Sequence, residues 1–235
     1  MKRRAAGVAV AVGVLASLMW VRSGLAQARR PAPGPGRRAA EADAARAPGE
    51  LLKVRRMEGV GKQYQLKTPE FRTSLGGGTK RAQDWAEIKV QFDTYKDTSA
   101  TNASSREWID ELVVDFYVMT QYKDDRGRER YSYYKTTGRY RDVERGSSHA
   151  VAAYLPPSAV KRYGLPAAIA VEMTAGDKVL ARETEFEKAL KLPEQWWKSP
   201  NVLNSENVTV RNEYLVTRSR SPFALVAIDD YETER

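Results

Sequence analysis

The sequence predicts a mainly β protein, an antiparallel β-sandwich with one or two short helices. Three observations support this fold class: two long segments in which apolar and polar residues alternate, a two-residue hairpin signal, and a scarcity of helical periodicity. Seven to nine strands at hairpin spacing are expected. An antiparallel sandwich is an arrangement in which such strands bury their apolar faces against each other.

The two alternating segments are "WAEIKVQFDTY", Trp85 to Tyr95, and "WIDELVVDFYVMTQY", Trp108 to Tyr122. In the first, residues 86, 88, 90 and 92 are apolar and the residues between them are polar, which predicts one core face and one solvent face. The second has an apolar face at residues 112, 114, 116 and 118, and an opposite face that is partly apolar but is broken by Asp115. This pattern predicts a long strand near the middle of a sheet. The polar turn "KDDRGRER" and a returning strand "YSYYKTT" follow.

The remaining elements are shorter. Residues 169, 171 and 173 alternate before Gly176-Asp177, a hairpin signal, and residues 179 to 184 form the partner strand. Residues 221 to 232, "SPFALVAIDDYE", predict a strand that is apolar on both faces. Pro157 to Tyr163, closed by Gly164, predicts a helix of one or two turns because proline favours the first helical position and glycine the end. Residues 193 to 199 predict another short turn.

The N-terminal sequence predicts export. Three basic residues precede an uncharged run from Ala5 to Trp20, and an A-x-A pattern ends at Ala28, where we expect signal cleavage. A retained membrane anchor is the alternative, although 16 uncharged residues are fewer than the roughly 20 that span a bilayer. The predicted organisation is a signal peptide at 1–28, a flexible tether rich in alanine, proline and arginine at 29–50, and one sandwich domain at 51–235. No transmembrane segment is expected after cleavage, and the predicted location is the periplasm or cell surface.

Charge and cysteine content restrict the function further. The chain carries a net charge of +9, of which +4 lies in the signal, +2 in the tether and only +3 in the domain. The high isoelectric point is therefore mainly a property of the segments outside the fold, and it does not by itself indicate a nucleic-acid partner. The sequence has no cysteine, so an exported domain of this kind must rest on its hydrophobic core without disulfides.

The sequence predicts no catalytic residue, cofactor or metal site, and hence no enzyme. The glycine run in "SLGGGTKR", Ser74 to Arg81, precedes a strand, whereas a phosphate-binding loop opens a helix, so we interpret it as a loop. His149 is the only histidine, and its serine neighbours lack the sequence context of a catalytic triad, so a strand-edge role is expected. Asp124-Asp125 and Asp229-Asp230 are interpreted as solvated acids. For Trp196 and Trp197, a position in the hydrophobic core is favoured over a role as an anchor for a partner or a sugar.

One segment carries an alternative function. Lys123 to Arg141 contains seven basic and three acidic residues interleaved with tyrosines. Such a pattern can hold phosphate backbones and stack bases, or grip acidic glycans. The structural interpretation is a solvent-exposed hairpin whose charges discourage edge-to-edge pairing with other sheets. The candidate polyanion patch consists of Lys123, Arg126, Arg128, Arg130, Tyr131, Tyr133, Lys135, Arg139 and Arg141, with residues 131, 133 and 135 on one face.

The order of the segments that begin at Trp85, Trp108, Thr136, Ile169 and Ser219 resembles a family of exported proteins from Verrucomicrobia. Members of that family are associated with pilus-like gene clusters, and they have an immunoglobulin-like fold related to archaeal type IV pilus subunits. The resemblance implies a non-enzymatic protein whose partners are envelope or pilus-like assembly proteins. We therefore expect an exported interaction or structural protein, acting by surface complementarity or by strand addition at a free edge. The alternative is a binder of DNA or acidic glycans through the hairpin.

Overall fold

Two five-stranded sheets pack face to face in the computed structural model, which describes residues 50–69 and 82–224. The first sheet has the strand order β1-β3-β6-β10, with β2 also pairing with β3, and the second has the order β8-β7-β4-β5-β9. The first sheet is formed by β1 (Leu52–Glu58), β2 (Gln65–Lys67), β3 (Asp84–Thr94), β6 (Ser148–Leu155) and β10 (Val216–Thr217). The second is formed by β4 (Trp108–Lys123), β5 (Glu129–Glu144), β7 (Pro166–Ala175), β8 (Lys178–Phe186) and β9 (Val208–Val210).

The predicted sandwich is confirmed, and the alternating patterns account for it. The apolar set of β3 and the apolar set of β4 are at most 1% exposed, and both belong to the core between the sheets. β4 pairs with β5 on one side and with β7 on the other, as expected for a central strand. The Gly176-Asp177 turn joins β7 to β8, which confirms the hairpin prediction.

Helices are few and short. They are α1 (Ala103–Glu107), α2 (Pro157–Tyr163) and α3 (Pro200–Leu203), with 3-10 turns at Lys62–Tyr64, Lys188–Leu190 and Trp196–Lys198. α2 matches the predicted helix. It ends at Gly164, which has φ of 83°, and a Cβ atom there would lie 2.4 Å from the carbonyl oxygen of Gln121. Glycine is therefore required at this position both by the backbone angle and by the close approach of β4.

Two features differ from the sequence-based expectations. The sandwich is not antiparallel throughout, because the three residues of β9 run parallel to β5. Residues 221–224, the beginning of the predicted C-terminal strand, form a turn in which Ser221 Oγ accepts a hydrogen bond from the Phe223 amide. A proline at position 222 and the serine cap favour that turn over an extended strand.

Several predictions concern residues outside the described ranges. These are the signal peptide with its cleavage at Ala28, the tether up to residue 49, the glycine run at 74–81, and residues 225–232 of the last predicted strand. Within residues 50–69 and 82–224, none of the helices has the length and apolar character needed to cross a membrane.

Candidate binding surface

The outer face of the second sheet is partly covered by the chain that follows β8. Trp196 and Trp197 are buried there against Tyr117 and Tyr133, in a second hydrophobic cluster separate from the main core. The Tyr133 hydroxyl donates a hydrogen bond to the Trp197 carbonyl oxygen at 3.2 Å, and Trp196 Nε1 donates to Thr184 Oγ1 at 2.9 Å. The structure thus shows both tryptophans in a core position, the role that the sequence favoured.

This cover determines what the tyrosines of the candidate polyanion patch can do. Tyr131 and Tyr133 pack in the same cluster, and the Lys135 ammonium lies 5.3 Å from the Tyr117 ring centroid, so residues 131, 133 and 135 share the predicted face. However, Tyr133 is only 7% exposed, and burial raises its pKa to about 12. Its ring faces Trp196 at a centroid distance of 6.3 Å. A base could stack on Tyr133 only if the tryptophan segment moved away.

The basic residues at the tip of the β4–β5 hairpin are organised by Asp124. Its Oδ1 accepts the backbone amides of Arg126 and Arg128, both at 2.9 Å, and its Oδ2 accepts Nε of Arg128 and, at 3.4 Å, of Arg130. The Arg128 amide contributes most to a pKa of about 2 for Asp124, and the two guanidinium groups lower it further. Asp124 is therefore the acceptor that closes the turn, and the side chains of Arg128 and Arg130 both donate hydrogen bonds to it.

The patch does not form one continuous surface. Arg141 lies eleven positions after Arg130, about 37 Å along a strand. Lys135 lies 3.3 Å from the carboxylate of Asp115, and Arg139 lies 2.7 Å from that of Glu111. Lys123 and Arg126 at the tip and Arg141 near the far end of β5 are exposed. The structure therefore brings together the tip residues as one group and leaves Arg139 and Arg141 at a distance.

A polar row crosses the outer face of the second sheet beside the aromatic cover. Strand register places Arg182, Glu172, Asp115 and Thr137 next to one another on four neighbouring strands. Glu172 is 8% exposed, and it accepts hydrogen bonds from Lys198 at 2.7 and 2.8 Å and from Arg182 at 2.8 Å.

The carboxylates in this row are neutralised by cations that contact them directly. Burial by itself would raise the pKa of Glu172, but the hydrogen bonds from Lys198 and Arg182 outweigh it and leave that pKa lowered. The neighbouring carboxylate of Asp115 accepts hydrogen bonds from Thr137 Oγ1 and Tyr117 Oη. Sequence reasoning missed the row. Its signal was the break that Asp115 makes in the apolar pattern of β4, but the partner strands were needed to interpret it.

The single histidine lies at an end of the sandwich. His149 stacks on Phe92 with ring centroids 5.4 Å apart, and its Nε2 lies 2.8 Å from the Glu144 carbonyl oxygen. Ser148 Oγ donates to Asp93 at 2.7 Å, and Arg55 forms an ion pair with the same carboxylate. His149, Phe92, Ser148, Asp93 and Arg55 line a shallow cleft of about 340 Å³. This geometry directs the histidine to a backbone oxygen and the serine to a carboxylate that also pairs with an arginine. Within the described residues, no cluster of three or more acidic or histidine side chains could hold a metal ion.

The sheet edges differ between the two sides of the sandwich. β1 lies beside β8 on one side, and β10 lies beside β5 on the other. On this second side the covering strands are short: β9 pairs only with residues 131–133 of β5, and β10 pairs only with residues 153 and 154 of β6. No described strand forms ladder hydrogen bonds with residues 134–138 of β5 or with residues 150–152 of β6 on that side. We call this the short-strand side.

Comparison with known proteins now places the chain in a family. The model of one protein family matches residues 54–235, most of the chain. The chain belongs to this family. A crystal structure of a protein from Akkermansia muciniphila is similar, with a TM-score of 0.60 and 20% sequence identity over 79% of this chain and 93% of that chain. At this identity the likeness shows the sandwich fold. No curated protein matches the chain.

Proposed function

We propose that this family member is a non-enzymatic exported protein that binds partners in the cell envelope or in a pilus-like assembly. The observation that carries the proposal is the edge of β5 on the short-strand side. β5 has 16 residues, and β9 pairs with three of them. The backbone beyond Tyr133 therefore offers a ladder to which an extended partner segment can add.

The hydrogen bonds of β5 next to β9 show which way the backbone N–H and C=O groups of β5 point. The Tyr131 amide donates to the Asn207 carbonyl oxygen, and the Tyr133 carbonyl oxygen accepts from the Arg211 amide. These two residues direct their backbone groups away from β4. Because the β4–β5 register continues without a break, the alternation directs those of Lys135 and Thr137 the same way. Both groups lie on the part of β5 that β9 leaves uncovered.

The exported location is part of the proposal. The basic head, uncharged run and A-x-A pattern at the N-terminus support export to the periplasm or the cell surface. A tether of about 20 residues would let the sandwich reach partners away from its point of attachment. The resemblance to pilus-associated proteins supports an assembly as the setting.

Proline at position 137 tests the edge. Thr137→Pro removes the amide that points out of the sheet and keeps the ladder to β4, whereas Thr137→Ala removes only the hydroxyl that donates to Asp115. We expect the alanine variant to capture envelope proteins from detergent extracts as the parent chain does, and the proline variant to lose that capture. Circular dichroism and thermal unfolding of both variants show whether the fold is kept.

Equal capture by the folded proline and alanine variants would refute addition at β5. Capture by neither the parent chain nor the variants, with a monomer in light scattering, would refute the interaction role itself. Turnover of a substrate by the purified domain would refute the non-enzymatic assignment.

Binding of anionic polymers is the second candidate because the side chains of Lys123 and Arg126 are exposed at the hairpin tip. Titration with single-stranded DNA at two salt concentrations tests it, since phosphate contacts give a strong salt dependence. Absence of binding at low salt would end this hypothesis.

A further inference from the structure

We propose that the cleft beside Arg55, on the outer face of the first sheet, binds an acidic sugar, that is, a sugar ring that carries a carboxylate. Three observations support this site: the bulge that places Arg55, the hydrogen-bonding groups that line the cleft, and the surplus of cations around it. The cleft belongs to the first sheet, so it is separate from the β5 edge and from the hairpin tip, which both belong to the second sheet.

A bulge in β1 places Arg55 over the cleft. The register between β1 and β3 shifts between residues 54 and 56, so Arg55 is the extra residue and has no partner on β3. A bulge of this kind leaves the extra residue unpaired and re-aims its side chain. Arg55 forms an ion pair with Asp93 through Nε, and its side chain is still 43% exposed. The two terminal guanidinium nitrogens make no hydrogen bond to a described residue, so they are available as donors.

The cleft presents groups that donate and accept hydrogen bonds. Gln91 and Asp93 alternate with the core residues of β3, so both point to the outer face. In the register with β6, Gln91 lies opposite Ala150, and the Gln91 amide has no hydrogen-bond partner among the described residues. Asp93 accepts from Ser148 Oγ and is 16% exposed. An amide and a carboxylate together suit adjacent hydroxyls, and the volume of about 340 Å³ lies within the range of small-ligand sites.

Cations outnumber acids on the part of the face that surrounds the cleft. The cations are Lys53, Arg55, Arg56 and Lys89, and the acids are Glu58 and Asp93. Each arginine forms an ion pair with one of the two acids. The two lysines form no ion pair with a described residue, and Lys89 lies about 7 Å along β3 from Gln91 on the same face. Glu87, the next acid along β3, accepts a hydrogen bond from Tyr154 at 3.2 Å. The two lysines are therefore available to an anionic ligand.

This set of groups favours an acidic sugar over other ligands. The unpaired lysines attract a carboxylate on the ligand, whereas a neutral sugar would leave them unused. Asp93 inside the cleft accepts hydroxyl groups and repels a phosphate chain that has no hydroxyl to offer there. Phe92 is 1% exposed, so its ring offers a nucleic-acid base no stacking surface. A sugar with hydroxyls on one side and a carboxylate on the other uses every one of the polar groups.

A matched pair of sugars tests the requirement for charge. Methyl glucuronoside and methyl glucoside differ only in a carboxylate that replaces a hydroxymethyl group. Each is titrated into the isotope-labelled chain from residue 29, the expected mature N-terminus, and amide shifts are followed by NMR. We expect the glucuronoside to shift the amides of Gln91 and Ala150 with a Kd of about 1 mM, since it makes a few hydrogen bonds of modest net strength. The glucoside should bind at least about tenfold more weakly because it lacks the charged contact.

Variants locate the site. Ala150→Leu fills the cleft without changing its charge and should weaken glucuronoside binding by about tenfold, since the ring loses contacts with the groups that line the cleft. Lys89→Gln removes an unpaired cation and should weaken it by about threefold, the size expected for an exposed ion pair. The matched control is Lys123→Gln, which removes an exposed lysine at the hairpin tip and should bind as the parent chain does. Circular dichroism and thermal unfolding show that each variant is folded.

Several outcomes would overturn the proposal. Absence of amide shifts at glucuronoside concentrations far above the expected Kd would exclude the site, and equal affinity for the two sugars would exclude the acidic class. Equal weakening by Lys89→Gln and Lys123→Gln would show that binding does not depend on the cleft. Tighter binding of single-stranded DNA at the same amides would replace the sugar by a phosphate chain. None of these measurements uses an envelope partner, so failure of partner capture at β5 is distinguished from failure of the sugar site.

Discussion

Replacement of Trp196 by alanine tests whether the segment after β8 is a packed part of the domain. Trp196 is fully buried, and its indole donates to Thr184 Oγ1. A tryptophan buries up to about 250 Å², worth about 6 kcal/mol at 25 cal/mol per Å² as an upper bound. Measured losses for buried aromatic residues are about 3–5 kcal/mol. We expect the free energy of unfolding to fall by about 4 kcal/mol.

Chemical denaturation and thermal unfolding measure this loss. For a domain of this size a change of 1 kcal/mol lowers Tm by about 2–4 °C, so Trp196→Ala should lower Tm by about 8–16 °C. Trp108→Ala is the matched control, because Trp108 is 42% exposed. The control should change the free energy of unfolding by less than about 1 kcal/mol.

A spectroscopic readout follows the same variant. Burial raises the pKa of Tyr133 to about 12, and loss of the Trp196 ring should bring that pKa down toward its ordinary value. An absorbance titration of tyrosinate formation measures the change. If Trp196→Ala and Trp108→Ala unfold at the same denaturant concentration and Tyr133 titrates as before, the cover over the outer face is not a structural element.

The remaining predictions concern a turn, an ion pair and the hairpin tip. Gly164→Ala should cost at least about 2 kcal/mol in the free energy of unfolding, because its φ of 83° and a carbonyl oxygen of β4 both oppose a Cβ atom; an unchanged denaturation midpoint would contradict this. Lys198→Met should destabilise by about 1–2 kcal/mol at neutral pH, since Glu172 loses a hydrogen-bonded cation. Because the folded pKa of Glu172 is lowered, the stabilisation exists above the unfolded pKa and is lost as pH falls through the folded one. The difference between parent and variant in urea unfolding should therefore shrink in acid, and a difference that grows there would refute the assignment. Charge reversal of both Lys123 and Arg126 should leave the free energy of unfolding within about 0.5 kcal/mol of the parent value, since both side chains are exposed. Loss of DNA binding in that variant without a loss of stability would favour the polyanion function.

The hairpin variants illustrate how structure sharpens a sequence-based design. Arg128 and Arg130 look equivalent to Arg126 in the sequence, but both hold Asp124, and Arg130 also donates to the Glu206 carbonyl oxygen. Reversing their charges would disturb the turn and the approach to β9 together with any binding. Arg126 contributes only its backbone amide to Asp124 among the contacts described. Its side chain can therefore be changed with less effect on the fold.

The sequence alone determined the strands of the main core and the turns between them. The period of two in β3 and β4 dictates which side chains are buried, because successive residues of a strand face opposite sides. Gly164 ends a helix and Gly176 begins a hairpin turn, both with positive φ angles that most other residues avoid. These are local constraints, and a single chain segment carries all the information that they need.

Only the tertiary structure decided which groups meet. Asp115 and Glu172 are 57 positions apart, and strand register alone makes them neighbours. The tyrosines of β5 resemble an open stacking surface until the tryptophan segment, more than 60 residues later, covers them. How far the described strands pair with β5 and β6 likewise depends on the lengths of β9 and β10. Contacts between distant segments depend on the packing of the whole chain, which local side-chain periodicity does not specify.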